Sequence, residues 1–331
     1  MLLEFDSDQR FWQRTVREVI ARHCPPALIR EVADRGADPG PLWKSLVDQG
    51  WTAMTAPAEA VELTIAHEEL GRACDPTPFL ATTSQFAPLA PDAPPDLAGA
   101  AVHEGVTATR DGADWVLTGS ARVLDGDRAD RLAVVTGAGV FVVSAAALDI
   151  RRAAVFDPVL HIADIVFDRV RVAPADRQRA DVRHARAVAL TGMAATMVGA
   201  CQRVLDTAVE HVRERRQFGV PIGSFQAVGH KAADMHVAIE RARALTYFAA
   251  LTIAEGDERK HLAAVTAKAA AGECQSLVFR HGLQLFGAMG YTWENDVQFA
   301  LKRAKAGELL LGGTDEHRAT IARHHRAADL R

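Results

Sequence analysis

Cysteine is scarce in this 331-residue chain, and Cys24, Cys74, Cys201 and Cys274 form no Cys-x-x-Cys pair. Neither a zinc site nor a disulfide framework is signalled, and buried free thiols in a reducing compartment are expected. Charge of one sign is also lacking. A net charge of −4 supplies no field to hold a nucleic-acid backbone, and a local run such as Arg213–Arg216 reads alone as a solvated helix face. No long apolar run is present. The stretch from Ala187 to Cys201 contains Thr191 and Thr196 and falls short of the roughly 18 to 20 residues that cross a bilayer. The N-terminal MLLEFDSDQRF carries acids where a signal peptide needs a basic start and an apolar core. A cytoplasmic protein without a membrane span is expected. Six lysines leave 32 of the 38 basic residues as arginine, which with abundant alanine speaks of GC-rich codons and not of function.

What remains is an ordinary globular composition, 49% hydrophobic and 24% charged, on a chain long enough for two or three domains. Residues 1–95 read as helical. Phe11, Val16, Val19 and Ile20 recur at helical spacing after Asp6–Ser7–Asp8, and PLWKSLVDQGW and ELTIAHEELGRAC carry similar signals. A proline-rich connector from Pro88 to Ala100 cannot continue a helix. Over 101–178 the period moves toward two in WVLTGSARVL, RLAVVTG, VFVVSA and IADIVFDRVRV, predicting a small antiparallel sheet or barrel. Gly137–Ala138–Gly139 looks like part of a dinucleotide fingerprint but lacks its third glycine and following helix, so a hairpin turn is predicted. Over 180–331 the chain is helical again. Ala187–Arg216, Phe225–Glu255, Glu258–Met289 and Thr314–His325 show three-to-four spacing with few breakers, predicting a close-packed bundle.

Two motifs carry more than architecture: RERRQFGVPIGSFQAVGHKAADM (Arg213 to Met235) and QLFGAMGYTWEND (Gln284 to Asp296). With the helix, sheet, bundle order, they resemble the acyl-CoA dehydrogenases, flavoenzymes that desaturate acyl-CoA thioesters. The likeness spans essentially the whole chain and is strongest from Leu205 to Phe299. It implies a mainly α fold with a central β domain, an FAD cofactor, an acyl-CoA substrate and electron-transfer flavoprotein as acceptor. In that family FAD lies between subunits, its ring against one subunit's sheet and its pyrophosphate and adenine against the neighbour's bundle. Arg215 matches the arginine of the family's Arg-x-x-Phe-Gly and becomes the candidate pyrophosphate ligand. An arginine suits that task through its planar fork of donors. Phe218 becomes a wall beside it, Gln226 a polar neighbour, and Gln284, Phe286, Gly287 and Ala288 the adenine side. Thr314 falls in the same cofactor-facing set.

The departures are as informative. Desaturation needs a carboxylate to take the α-proton, and the family places it in a Tyr-Glu-Gly-Thr segment. Here the stretch reads LLLGGTDEHR, with Gly312 at the base position. The family's alternative position, early in the first bundle helix, falls at about Ala189. Asp315 and Glu316 are the remaining candidates, although Thr314 as an N-cap with acids in the first turn explains both structurally. In the sheet, Val123 and Asp125 of LTGSARVLDG replace the family's ring-contacting tryptophan and threonine, and an aspartate there opposes an anionic reduced flavin. Of His317, His324 and His325, the first two are seven apart and could share a helix face, but no third ligand is evident, so exposed helix histidines are expected and not a metal site.

Three readings follow. The chain is the base-lacking half of an α2β2 acyl-CoA dehydrogenase, as the resemblance to actinobacterial heteromers of steroid catabolism implies. Or it is a self-sufficient homo-oligomer with a relocated base at Asp315 or Glu316. Or it is a flavin-free binding protein or scaffold of the same fold.

Overall fold

The computed structural model describes residues 4–326. Helix α1 (Ser7–His23) opens on a capping box: the Asp6 carboxylate accepts from the Gln9 amide, and the Gln9 side chain accepts in return from the Asp6 amide. Helices α2 (Pro26–Arg35), α3 (Gly40–Asp48) and α4 (Ala60–Ala73) follow. The next element, Ala81–Phe86, is a π-helical turn, and all six of its residues are buried. Such turns are uncommon and recur at functional sites.

The middle of the chain forms two four-stranded sheets. Strands β1 (Gly99–Val102), β2 (Val106–Asp111), β3 (Asp114–Leu124), β4 (Arg131–Thr136), β5 (Gly139–Ser144), β6 (Asp149–Arg152), β7 (Ile162–Val172) and β8 (Arg177–Gln178) are arranged as β1-β4-β5-β8 and β2-β3-β7-β6. The sheets face each other across one core that joins Leu117, Val123 and Ile165 to Leu132, Val134 and Phe141. Pairing is antiparallel except for β1 with β4, a departure from the expected antiparallel sheet. Gly137 and Ala138 form a two-residue hairpin turn, with Thr136 opposite Gly139, as their sequence predicts.

The C-terminal helices are α5 (Val182–Glu214), α6 (Gln226–Ala254), α7 (Lys260–Phe286), α8 (Val297–Leu309) and α9 (Thr314–His324). Between α5 and α6 lies a small hairpin, β9 (Arg216–Gln217) with β10 (Val220–Pro221). Helix α5 runs through the centre against α4, α6, α7 and α8. A Cβ on Gly199 would overlap the Glu68 carbonyl, and one on Gly71 would overlap Thr196. These glycines let α4 and α5 touch along their backbones. Among the described residues α5 is the one helix long and apolar enough to cross a bilayer, and most of that stretch is buried inside the fold. The expectation drawn from Ala187–Cys201 missed its length because the helix continues through polar residues at both ends.

Helix α8 was not expected from the sequence. The N-cap of α9 is Gly313 and not Thr314. The Glu308 carboxylate reaches across to accept from the Thr314 amide at 3.2 Å, while the Thr314 hydroxyl packs over Gly272. All four cysteines are buried and free.

Candidate functional site

The residues singled out from the sequence fall at two places. The first is the C-terminal end of α5. Arg215 is its C-cap, and the chain then turns through β9 and β10 with Phe218 in the left-handed region at φ 53° and 92% exposed. Phe225, also exposed, stands edge-on to Phe218 at 6.1 Å. Helix α6 begins at Gln226 with no side-chain cap, so its first amides and its positive dipole end face outward. The Arg215 guanidinium is exposed and has no ion-pair or hydrogen-bond partner among the described residues. The same holds for the side chains of Gln226 and Gln284. One turn before Arg215, His211 packs on the ring of Phe286 at 4.9 Å, which brings the end of α7 alongside. There Gln284, Gly287 and Ala288 are exposed and Phe286 is buried beneath them. A free arginine beside an uncapped helix N-terminus is an arrangement suited to phosphate.

The second place is the loop from Leu309 to Gly313. Gly312 adopts φ 93°, and a Cβ there would meet the Glu316 carboxylate at 2.9 Å. Its carbonyl accepts from Lys268 Nζ at 3.0 Å and lies 3.1 Å from His317 Nε2, while Arg186 donates to the Leu311 carbonyl at 2.7 Å. Lys268 is buried, and burial pushes its ammonium down to about 8. The loop is therefore held by basic side chains. Nothing in the sequence separated Lys268 from an exposed lysine; a lone lysine within the alanine-rich VTAKAAAG is the only signal it left. His317 packs under the loop, while Asp315 and Glu316 are exposed in the first turn of α9. Ala189, the alternative base position, is buried inside α5.

Between this loop and the sheets lies a cleft of about 850 Å³, lined by Gln85, His103, Arg186, Val123, Gly312 and Glu316 among others. Asp315 does not reach it. Gln85 Nε2 and His103 Nε2 are buried without partners, and burial, with Arg186 nearby, pushes the His103 imidazole down to about 4. Val123 lines the cleft, but Asp125 does not. Strand β3 ends at Leu124, Asp125 takes φ 53°, and its buried carboxyl faces a small enclosed cavity with Asp75 and Arg303. The resemblance set Asp125 with Val123 at ring-contacting positions, and that turn takes Asp125 away from the cleft.

Burial pushes the Asp125 carboxyl up to about 8 and Asp75 up to about 6. An acid whose folded pKa lies above its unfolded value near 4 binds more protons when folded. Its contribution to stability therefore falls as pH rises from about 4 to about 8. Asp125→Asn removes that loss, which is on the order of a few kcal/mol. Unfolding midpoints at pH 5 and pH 8 should lie closer together in the variant than in the wild type; an unchanged spacing contradicts this.

The cleft and the hairpin end sit at opposite ends of α5, whose first turns line the cleft through Val182 and Arg186. A helix of 33 residues spans about 50 Å. The two places therefore lie about 50 Å apart along α5.

Comparison with known proteins agrees with this architecture. Residues 6–91 match the acyl-CoA dehydrogenase N-terminal domain and residues 184–325 the acyl-CoA dehydrogenase C-terminal domain. The acyl-CoA dehydrogenase IpdE2 of Mycobacterium tuberculosis is 32% identical over 314 residues, covering 92% of this chain and 93% of its own. The ChsE4-ChsE5 complex from the same organism contains a similar chain, with TM-score 0.88 and 23% identity over 98% of this chain and 99% of that one. A variant of the Tcur3481-Tcur3483 steroid ACAD gives TM-score 0.84 and 23% identity over 98% and 99%. With both domains matched and a relative aligned along nearly its whole length, the chain belongs to the acyl-CoA dehydrogenase family of oxidoreductases.

Proposed function

We propose that this chain is one subunit of a heteromeric, FAD-dependent acyl-CoA dehydrogenase and that the catalytic base comes from its partner. The observation that carries this reading is the free Arg215 guanidinium beside the uncapped start of α6, about 50 Å along α5 from the cleft. In this reading Arg215 takes the FAD pyrophosphate, Phe218 and Gln226 flank it, and Gln284, Phe286, Gly287 and Ala288 close on the adenine, all toward a flavin whose ring rests in the partner. Arg215, Gln226 and Gln284 suit an anionic dinucleotide: exposed, polar and, among the described residues, without hydrogen-bond or ion-pair partners of their own. Bound FAD supplies the hydride acceptor at its ring. This chain's task is to hold the phosphates and exclude water around them. No carboxylate stands at Gly312 or Ala189. The two-chain composition of the ChsE4-ChsE5 and Tcur3481-Tcur3483 structures supports a heteromer, and the likeness to the latter, a steroid ACAD, supports a steroid-derived acyl-CoA as substrate. Electron-transfer flavoprotein is the proposed acceptor.

A second reading rests on Glu316. Its carboxylate occupies the space in which a side chain at position 312 would begin, and it lines the cleft. A homo-oligomer using Glu316 as base would place Arg215 of one copy at the cleft of another. The two readings differ in colour. Purified alone, the chain should hold well under one flavin per copy, since Val123 offers the ring neither a hydrogen bond nor an aromatic face. Stoichiometric flavin absorbance in the single-chain preparation supports the homo-oligomer.

A further inference from the structure

Helices α1, α2, α4, α5 and α8 meet around a groove of about 360 Å³, distinct from the cleft and from the hairpin end. Its floor is apolar, with Ile20, Ile29, Cys74 and Phe299 all buried. Its rim is basic. Arg17 is paired with Glu69 at 2.8 Å and Arg72 with Asp206 at 2.5 Å, and the rim's Asp296 is taken by Arg30. Arg203, half-buried on α5, lines the groove and has no ion-pair or hydrogen-bond partner among the described residues. One uncompensated guanidinium therefore stands over an apolar floor. A cation partly removed from water without a counter-ion pays for its desolvation, and a bound anion offsets that cost. The volume lies at the small end of ligand pockets, which combine apolar lining with a few placed polar groups.

We infer that this groove binds a small amphiphilic monocarboxylate, its carboxylate on Arg203 and its alkyl chain along the floor. A single free cation matches one negative charge better than a phosphate dianion, and the floor selects a hydrocarbon chain over a bare anion. The inference is independent of where the catalytic base resides.

The test is calorimetric titration of octanoate into the full chain. One saturable site per chain is expected, weakened at least about tenfold in Arg203→Gln through loss of a charge-assisted pair. Ala21→Trp, which fills the exposed rim, should weaken it similarly, with circular dichroism confirming that both variants are folded. Octanol, with the chain but not the charge, and acetate, with the charge but not the chain, should each bind far more weakly. Absence of saturable octanoate binding, equal binding of octanol, or octanoate binding unaffected by both substitutions overturns the proposal. So does an Ala21→Trp variant that blocks subunit assembly while octanoate still binds, which makes the groove a protein interface.

Discussion

Asp157→Ala should destabilise the fold by about 3–5 kcal/mol, the cost of leaving a buried charge without its partner. Asp157 and Arg303 are 1% and 6% exposed, and the Arg303 Nε donates to Asp157 Oδ2 at 2.9 Å. A second guanidinium nitrogen donates to the Asp75 carbonyl at 2.7 Å, so one side chain on α8 ties the loop before β7 to the end of α4. Asp157 also accepts from the Val159 amide at 3.0 Å. This junction ties the middle sheets to the helical bundle. Asp157→Ala with Arg303→Met should recover much of the loss, because an apolar pair no longer buries an unpaired charge. Urea unfolding of the three proteins decides it. A single variant within about 1 kcal/mol of wild type, or a double variant no better than the single, contradicts the account.

Arg215→Ala in the assembled complex should weaken FAD retention by roughly ten- to a hundredfold, since a charge-assisted pair to phosphate is worth about 1.5–3 kcal/mol. The fold should be indifferent, because Arg215 is exposed and holds nothing else in this chain. Flavin release on dilution, read by fluorescence, is the measurement, with the melting temperature of the flavin-free protein as control. Unchanged retention returns Arg215 to the role of a solvated arginine.

The sequence announced the parts whose physics is local. Apolar residues at helical spacing marked α1, α5, α6 and α7, of which α1 and α6 bury one face while α5 and α7 are buried nearly all round over much of their length. Gly137 and Ala138 sit between two β-branched runs and make the hairpin that such punctuation demands. Helix α8 escaped notice because its buried face includes Gln298 and Arg303, polar residues that interrupt an apolar stripe; Gln298 is satisfied by Trp293 and Lys302 close by in sequence, and Arg303 only by the distant Asp157 and Asp75. The π-helical turn was not marked within the segment read as helical, because Thr82, Thr83 and Ser84 carry no apolar signal, yet they are buried, with hydroxyls bonded to Gly99, Phe79 and Leu80 carbonyls. At the candidate site, the motif residues around Arg215 and Gln284 were legible because they recur as a string. Lys268, Gln85, His103 and Arg186 were not, since each owes its place to tertiary packing alone. Asp125 was misplaced because the motif match carried it as a strand position, whereas β3 ends at Leu124 and the chain turns at Asp125.

The central claim, that this chain does not supply the base, is tested most directly at Glu316, the acid that lines the cleft beside Gly312. The measurement is the rate of acyl-CoA dehydrogenation by the assembled complex carrying Glu316→Gln, with flavin content determined in the same sample. Removing a general base costs about a hundred- to ten-thousandfold, whereas loss of an exposed first-turn acid costs almost nothing at the reacting carbon. The account predicts a rate within about twofold of wild type; a drop of a hundredfold or more with flavin still bound would place the base in this chain and contradict it.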